Sequence, residues 1–107
     1  PNVALREGET PVMTAARSGT AEGVRLLVEA GADVHARETS REQTALMWAA
    51  GYSNEVPPGD ALKTVSLLIE RGARLDLKDN RGKTARMIAA DMGHEAVLKV
   101  LANAEKR

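Results

Sequence analysis

Two imidazoles, His35 and His94, are the residues in this 107-residue chain best suited to acid–base or metal chemistry. A general base needs an orienting partner and a substrate proton within reach. A zinc site needs three or four convergent His, Cys, Asp or Glu side chains at ligand spacing. Neither histidine has such company in the sequence. Gly93-His94-Glu95 lacks the second histidine of a metalloprotease helix, and His35 stands among Val34, Ala36 and Arg37. The chain has no Cys, hence no thiol nucleophile, thiolate site or disulfide. No phosphate-cradling or dinucleotide glycine motif occurs, and no nucleophile elbow. The residues point to no catalytic site, no metal site and no cofactor.

The remaining polar chemistry is charge. Lys and Arg number 15, Asp and Glu also 15, and the formal net charge is zero. No bulk field draws the chain to nucleic acid or an anionic membrane. Arg37, Arg41, Lys78, Arg81, Lys83 and nearby Arg86 make a local basic set, diluted by Glu38, Glu42 and Asp79. No aromatic residues are interleaved there for base stacking. No apolar run is long enough to cross a bilayer. The compartment stays open, with the cytoplasm the preferred reading.

The elements that must position these charges are helical and repeated. Phe is absent and Trp and Tyr occur once each, which suits close packing through small residues; Ala is also the strongest helix former. Three segments open alike, at Thr10 (TPVMTAARSG), Thr44 (TALMWAAGYS) and Thr84 (TARMIAADMG), spaced by 34 and 40 residues. Each is followed by an amphipathic segment. Val24, Leu27 and Val28 line one such stripe with Leu26 beside it, opposite Glu22, Arg25 and Glu29. Val65, Leu68 and Ile69 line the second, and Val97, Val100 and Leu101 the third. Thr10, Thr44 and Thr84 are expected helix caps, as is Asp60. Gly31 and Gly72 stand where a left-handed residue ends a helix. One helix pair cannot bury its apolar face alone, so the pairs must stack.

Thr10-Pro11-Val12-Met13-Thr14-Ala15-Ala16, Gly19, Leu26-Leu27 and Gly31-Ala32-Asp33 resemble the ankyrin repeat, a 33-residue unit with a Thr-Pro-Leu-His-x-Ala opening. The chain departs from that opening in having Met13, Met47 and Met87 in place of His and Arg86 in place of a buried Leu. The resemblance implies an all-α solenoid of stacked helix-turn-helix pairs joined by extended β-hairpin-like fingers. It places an upstream finger at 1–9, repeat 1 at 10–43, repeat 2 at 44–83 and repeat 3, a possible C-terminal cap, at 84–107. Repeat 2 carries an insertion near 53–59, in the turn between its helices, which the resemblance sets at the end of the stack away from the fingers. The opening residues read as the tail of a preceding unit, so the chain is expected to be a piece of a longer array.

By the same resemblance the chain binds another protein through finger tips and inner-helix face. Its expected contacts are Arg17, Arg37, Glu38, Arg41, Gln43, Tyr52, Lys78, Asn80, Arg81 and Lys83, and the partner is expected to be charged. Trp48 is expected in the core. The alternative role is a structural cap or spacer of a larger repeat protein. Self-association through the uncovered N-terminal face is a further expectation.

Overall fold

The computed structural model describes residue 8 and residues 10–18, 21–51 and 58–106; of Ser18 and residues 58–60 it describes the backbone alone. Among the described residues six helices follow in order: α1 (Pro11–Ser18), α2 (Ala21–Glu29), α3 (Ala45–Gly51), α4 (Pro58–Glu70), α5 (Ala85–Asp91) and α6 (Glu95–Glu105). They form three antiparallel pairs. Within each pair α1 packs on α2, α3 on α4 and α5 on α6. Between pairs, α1, α3 and α5 make an inner row and α2, α4 and α6 an outer row.

Each inner helix has only seven or eight residues. A helix that short is marginal alone and owes its stability to packing. The central one is the extreme case, since every residue from Ala45 to Ala50 is buried. Its alanines let α1 and α5 approach from either side, while Leu46, Met47 and Trp48 supply volume. On the outer row Val24, Val65, Leu68, Val97 and Leu101 point into the same core. The three stripes read from the sequence therefore face inward, but Leu26 does not: it lies 55% exposed. Glu22, Arg25 and Glu29 pair along the solvent side of α2.

Helix ends follow local rules with two departures. Gly31 has φ 100° and Gly72 φ 91°. Each amide, and that of the alanine after it, turns back to the helix's last carbonyls: Gly31 to Val28 and Ala32 to Leu27, Gly72 to Ile69 and Ala73 to Leu68. That is the paired-bond stop a left-handed residue permits. The Thr44 and Thr84 hydroxyls accept from the Met47 and Met87 amides, both at 3.4 Å. Thr10 does not cap in this way; its Oγ1 is buried without a hydrogen-bond partner among the described residues. Asp60 is no cap either, because α4 starts at Pro58. Proline suits a first helical position, where its missing N–H bonds nothing anyway.

The fingers differ from the expected extended hairpins. Among the described residues no strand forms. Residues 37–43 and 78–83 are tight turns: Glu38 N–H to Gln43 O at 3.0 Å closes the first, and Asp79 N–H to Lys83 O at 2.9 Å closes the second, with Gly82 N–H to Asp79 O at 3.0 Å inside it.

Candidate functional site

Of the expected contacts, all but Arg17 and Tyr52 belong to these two turns. Their shape is set from inside by a carboxylate. Asp79 is 5% exposed; its Oδ1 accepts from the amides of Arg81 and Lys83, and its Oδ2 from the Arg81 guanidinium and the Gln43 amide group. Glu38, 3% exposed, has the same place in the other turn. It accepts from the Ser40 amide at 2.7 Å and hydroxyl at 2.6 Å, the Arg41 amide at 2.8 Å and the Gln43 amide at 3.1 Å. The 38–43 turn is one residue longer than the 79–83 turn, and its carboxylate stands on one more methylene. Glu42, at φ 58°, takes the left-handed position that Gly82 holds at φ 79°.

Burial raises the pKa of both carboxyls, yet both lie below the ordinary range. For Asp79, hydrogen bonds from Gln43, Arg81 and the amides of Lys83 and Arg81 outweigh burial and bring it down to about 2. For Glu38, the Ser40 hydroxyl and the amides of Gln43, Arg41 and Ser40 do the same. A carboxylate that accepts several N–H bonds favours its charged form.

The two fingers are bolted to each other. The Asn80 amide donates to Arg41 O at 2.9 Å and its side chain to Ser40 O at 3.0 Å. The Arg37 guanidinium donates to Glu42 O at 3.0 Å and to Lys78 O. Gln43 reaches Asp79 at 3.1 Å. Glu38 and Gln43, expected as partner contacts, are thus interior struts; their polar atoms are spent on the fingers. Arg37, Arg41, Lys78, Asn80 and Arg81 remain exposed, and Lys83 is half-buried beside Asp91, with which it pairs. Arg17 lies elsewhere, on α1, with its guanidinium 5.3 Å from the centre of the Trp48 ring. Trp48 is a buried core residue. Tyr52 and the insertion up to residue 57 lie outside the described residues.

Both histidines serve backbone groups of a neighbouring unit. His94 Nδ1 is 2.7 Å from Ala50 O at the end of α3. His35 Nε2 is 3.1 Å from the Arg74 amide and 3.2 Å from Gly72 O. Among the described residues no three His, Cys, Asp or Glu side chains come together as a metal site would require. Among the described residues no helix is long and apolar enough to cross a membrane.

Three stacked helix pairs, glycine stops, and finger turns braced on a buried acid are the repeating plan. A sequence model described as ankyrin repeats, in three copies, matches residues 1–57 and 38–107. The chain belongs to the ankyrin-repeat family. Ankyrin repeats generally serve as protein–protein interaction modules and are generally non-catalytic.

The curated relatives are much longer proteins. The human ankyrin repeat and KH domain-containing protein 1 is 40% identical over 74% of this chain and 3% of its own length. The ankyrin repeat and KH domain-containing protein mask-1 of Caenorhabditis elegans is 30% identical over 95% of this chain and 5% of its own. The ankyrin repeat, SAM and basic leucine zipper domain-containing protein 1 of Ornithorhynchus anatinus is 35% identical over 91% and 20%. The chain therefore spans a small part of the relatives it matches.

Bracing by Glu38 and Asp79 was the feature hardest to find in the sequence. Its one signal is the recurrence of a basic-acidic pair, Arg37-Glu38 and Lys78-Asp79, at the start of both turns.

Proposed function

We propose that this ankyrin-repeat chain is a non-catalytic recognition module that holds another protein on its finger tips and inner-helix face. One observation carries the reading: the fingers are fixed from within, through Glu38, Gln43, Asp79 and Asn80, while charged side chains stay at their surface. A braced surface loses little conformational entropy when a partner arrives. Charge at that surface makes the association salt-sensitive. The partner is read as protein rather than nucleic acid, because the described finger residues include no aromatic side chain on which a base could stack.

The test is a paired measurement on Arg41→Glu/Lys78→Glu. Loss of a captured protein partner with an unchanged melting temperature supports recognition. Full retention of that partner contradicts it.

A second reading is a capping or spacer segment. Arg86, placed where an internal unit would bury an apolar residue, pairs with Glu105 and gives the third helix pair a polar face. Under that reading the same double variant has no effect on partner capture, and Arg86→Leu lowers the solubility of the chain.

A further inference from the structure

The fingers hide negative charge and show positive charge. By sequence, residues 37–43 and 78–83 mix Arg37, Arg41, Lys78, Arg81 and Lys83 with Glu38, Glu42 and Asp79. In the fold, Glu38 and Asp79 are turned inward and their oxygens are occupied by finger amides, Gln43 and Arg81. Glu42 is the exposed carboxylate left among these residues. Among the described residues Arg37 is anchored by main-chain carbonyls alone, which carry no neutralising charge. Lys78 is exposed and, among the described residues, takes part in no side-chain ion pair. Arg81 pairs with Asp79 and Lys83 with Asp91, so the basic ridge across the two neighbouring turns rests on Arg37 and Lys78.

A groove of about 620 Å³ opens beside that ridge, lined by Arg74, Asp76, Lys78, Thr84, Arg86 and Glu105 among others. Arg74 is paired with Asp76 and Arg86 with Glu105. Among the described residues Lys78 is the groove cation without a carboxylate pair, and it joins groove to ridge.

We infer that the finger ridge and this groove bind an acidic polypeptide segment, rich in Asp and Glu, of the partner protein. The inference rests on the protein-recognition reading and adds the chemistry of what is recognised. Carboxylates fit guanidinium groups in paired geometry, and rigidly held Arg37 is preorganised to offer it. A ridge that pairs with carboxylates brings its partner in by long-range attraction, so binding weakens as salt rises.

The experiment is a titration of the full chain with fluorescein-labelled poly-L-glutamate at low and moderate salt. Duplex DNA of equal charge is run in parallel. Wild type binds poly-glutamate, Lys78→Glu and Arg37→Gln each weaken it at least about tenfold, and Lys99→Glu on the outer helix α6 changes it less than about twofold. Circular dichroism melts are expected to match wild type for Lys78→Glu, so that its loss is a binding loss even if Arg37→Gln loosens the fingers. Equal weakening by Lys99→Glu, no binding at all, or tighter binding of duplex DNA overturns the inference. Failure of the underlying function is distinguishable from this. A finger-dependent protein complex that excess poly-glutamate does not displace defeats the acidic-segment inference and leaves protein recognition standing. Complexes that ignore every finger substitution defeat both.

Discussion

Gln43 Nε2 lies 3.1 Å from Asp79 Oδ2, a buried side-chain bond between two fingers 36 residues apart in sequence. It ties one unit's turn to the acid that shapes the next. Gln43→Ala removes the tie, while the Arg81 guanidinium still donates to Asp79 Oδ2. A hydrogen bond to a charged group contributes about 1.5–3 kcal/mol, and each kcal/mol lowers the melting temperature of a domain this size by roughly 4–8 °C. Thermal denaturation should show that drop, with finger-tip binding weakened only in proportion to the loss of fold. A Gln43→Ala melt matching wild type would mean the bond carries no stability.

Acid should loosen the fingers. Asp79 has its pKa held at about 2 in the fold against an ordinary 3.8, and Glu38 is also lowered. A depressed carboxyl contributes stability that is full above its unfolded pKa and is lost as pH falls through the folded value. Urea unfolding midpoints should therefore hold from pH 7 to about 5 and fall between about pH 4 and 2. The Asp79 share is on the order of 2 kcal/mol. Asp79→Asn should flatten that fall and lower the neutral-pH stability; a variant whose acid profile overlays wild type would refute the assignment.

Gly72 can be tested by chirality. At φ 91° an added Cβ meets no atom within 4 Å, so backbone strain alone opposes a side chain. Gly72→Ala should cost about 1–2 kcal/mol. D-alanine introduced there by chemical ligation prefers positive φ, and should stabilise by about 0.4–1 kcal/mol through the unfolded state. The difference between the two melts is the readout; equal effects would remove the left-handed explanation.

His94 holds the end of α3. Its Nδ1 is 2.7 Å from Ala50 O, a carbonyl in the last turn of that helix. His94→Ala should destabilise by about 1 kcal/mol, measured as a lower urea midpoint, and should leave poly-glutamate affinity within about twofold. A wild-type midpoint would show that the contact adds nothing.

Much of this plan was open in the sequence because it is local and periodic. Thr44 and Thr84, the Gly31 and Gly72 stops and the three apolar stripes obey rules written over a few residues. What the sequence hid depends on contacts between units. Glu38 and Gln43 read as surface residues because charge and amide groups usually are, yet the backbone amides of a tight turn offered them better partners than water. The fingers lack strands because few of their amides pair across the turn: those of Ser40, Arg41, Gln43, Arg81 and Lys83 go to a side-chain carboxylate, and that of Asn80 goes to the neighbouring finger. Leu26 matched the apolar run but faces away from the core, one position off the stripe of Val24, Leu27 and Val28. Thr10, alike in sequence to Thr44 and Thr84, precedes Pro11, and its hydroxyl stays unbonded among the described residues.

The lysines give the most direct test of where recognition occurs. Lys78 and Lys83 belong to the second finger, whereas Lys63 and Lys99 are exposed on the outer helices α4 and α6. Acetylation footprinting by mass spectrometry compares all four in one sample, with and without a captured partner protein. Recognition by the fingers predicts that the partner slows modification of Lys78 and Lys83 several-fold while Lys63 and Lys99 react as before. Protection of Lys63 and Lys99 with Lys78 and Lys83 unchanged would contradict it.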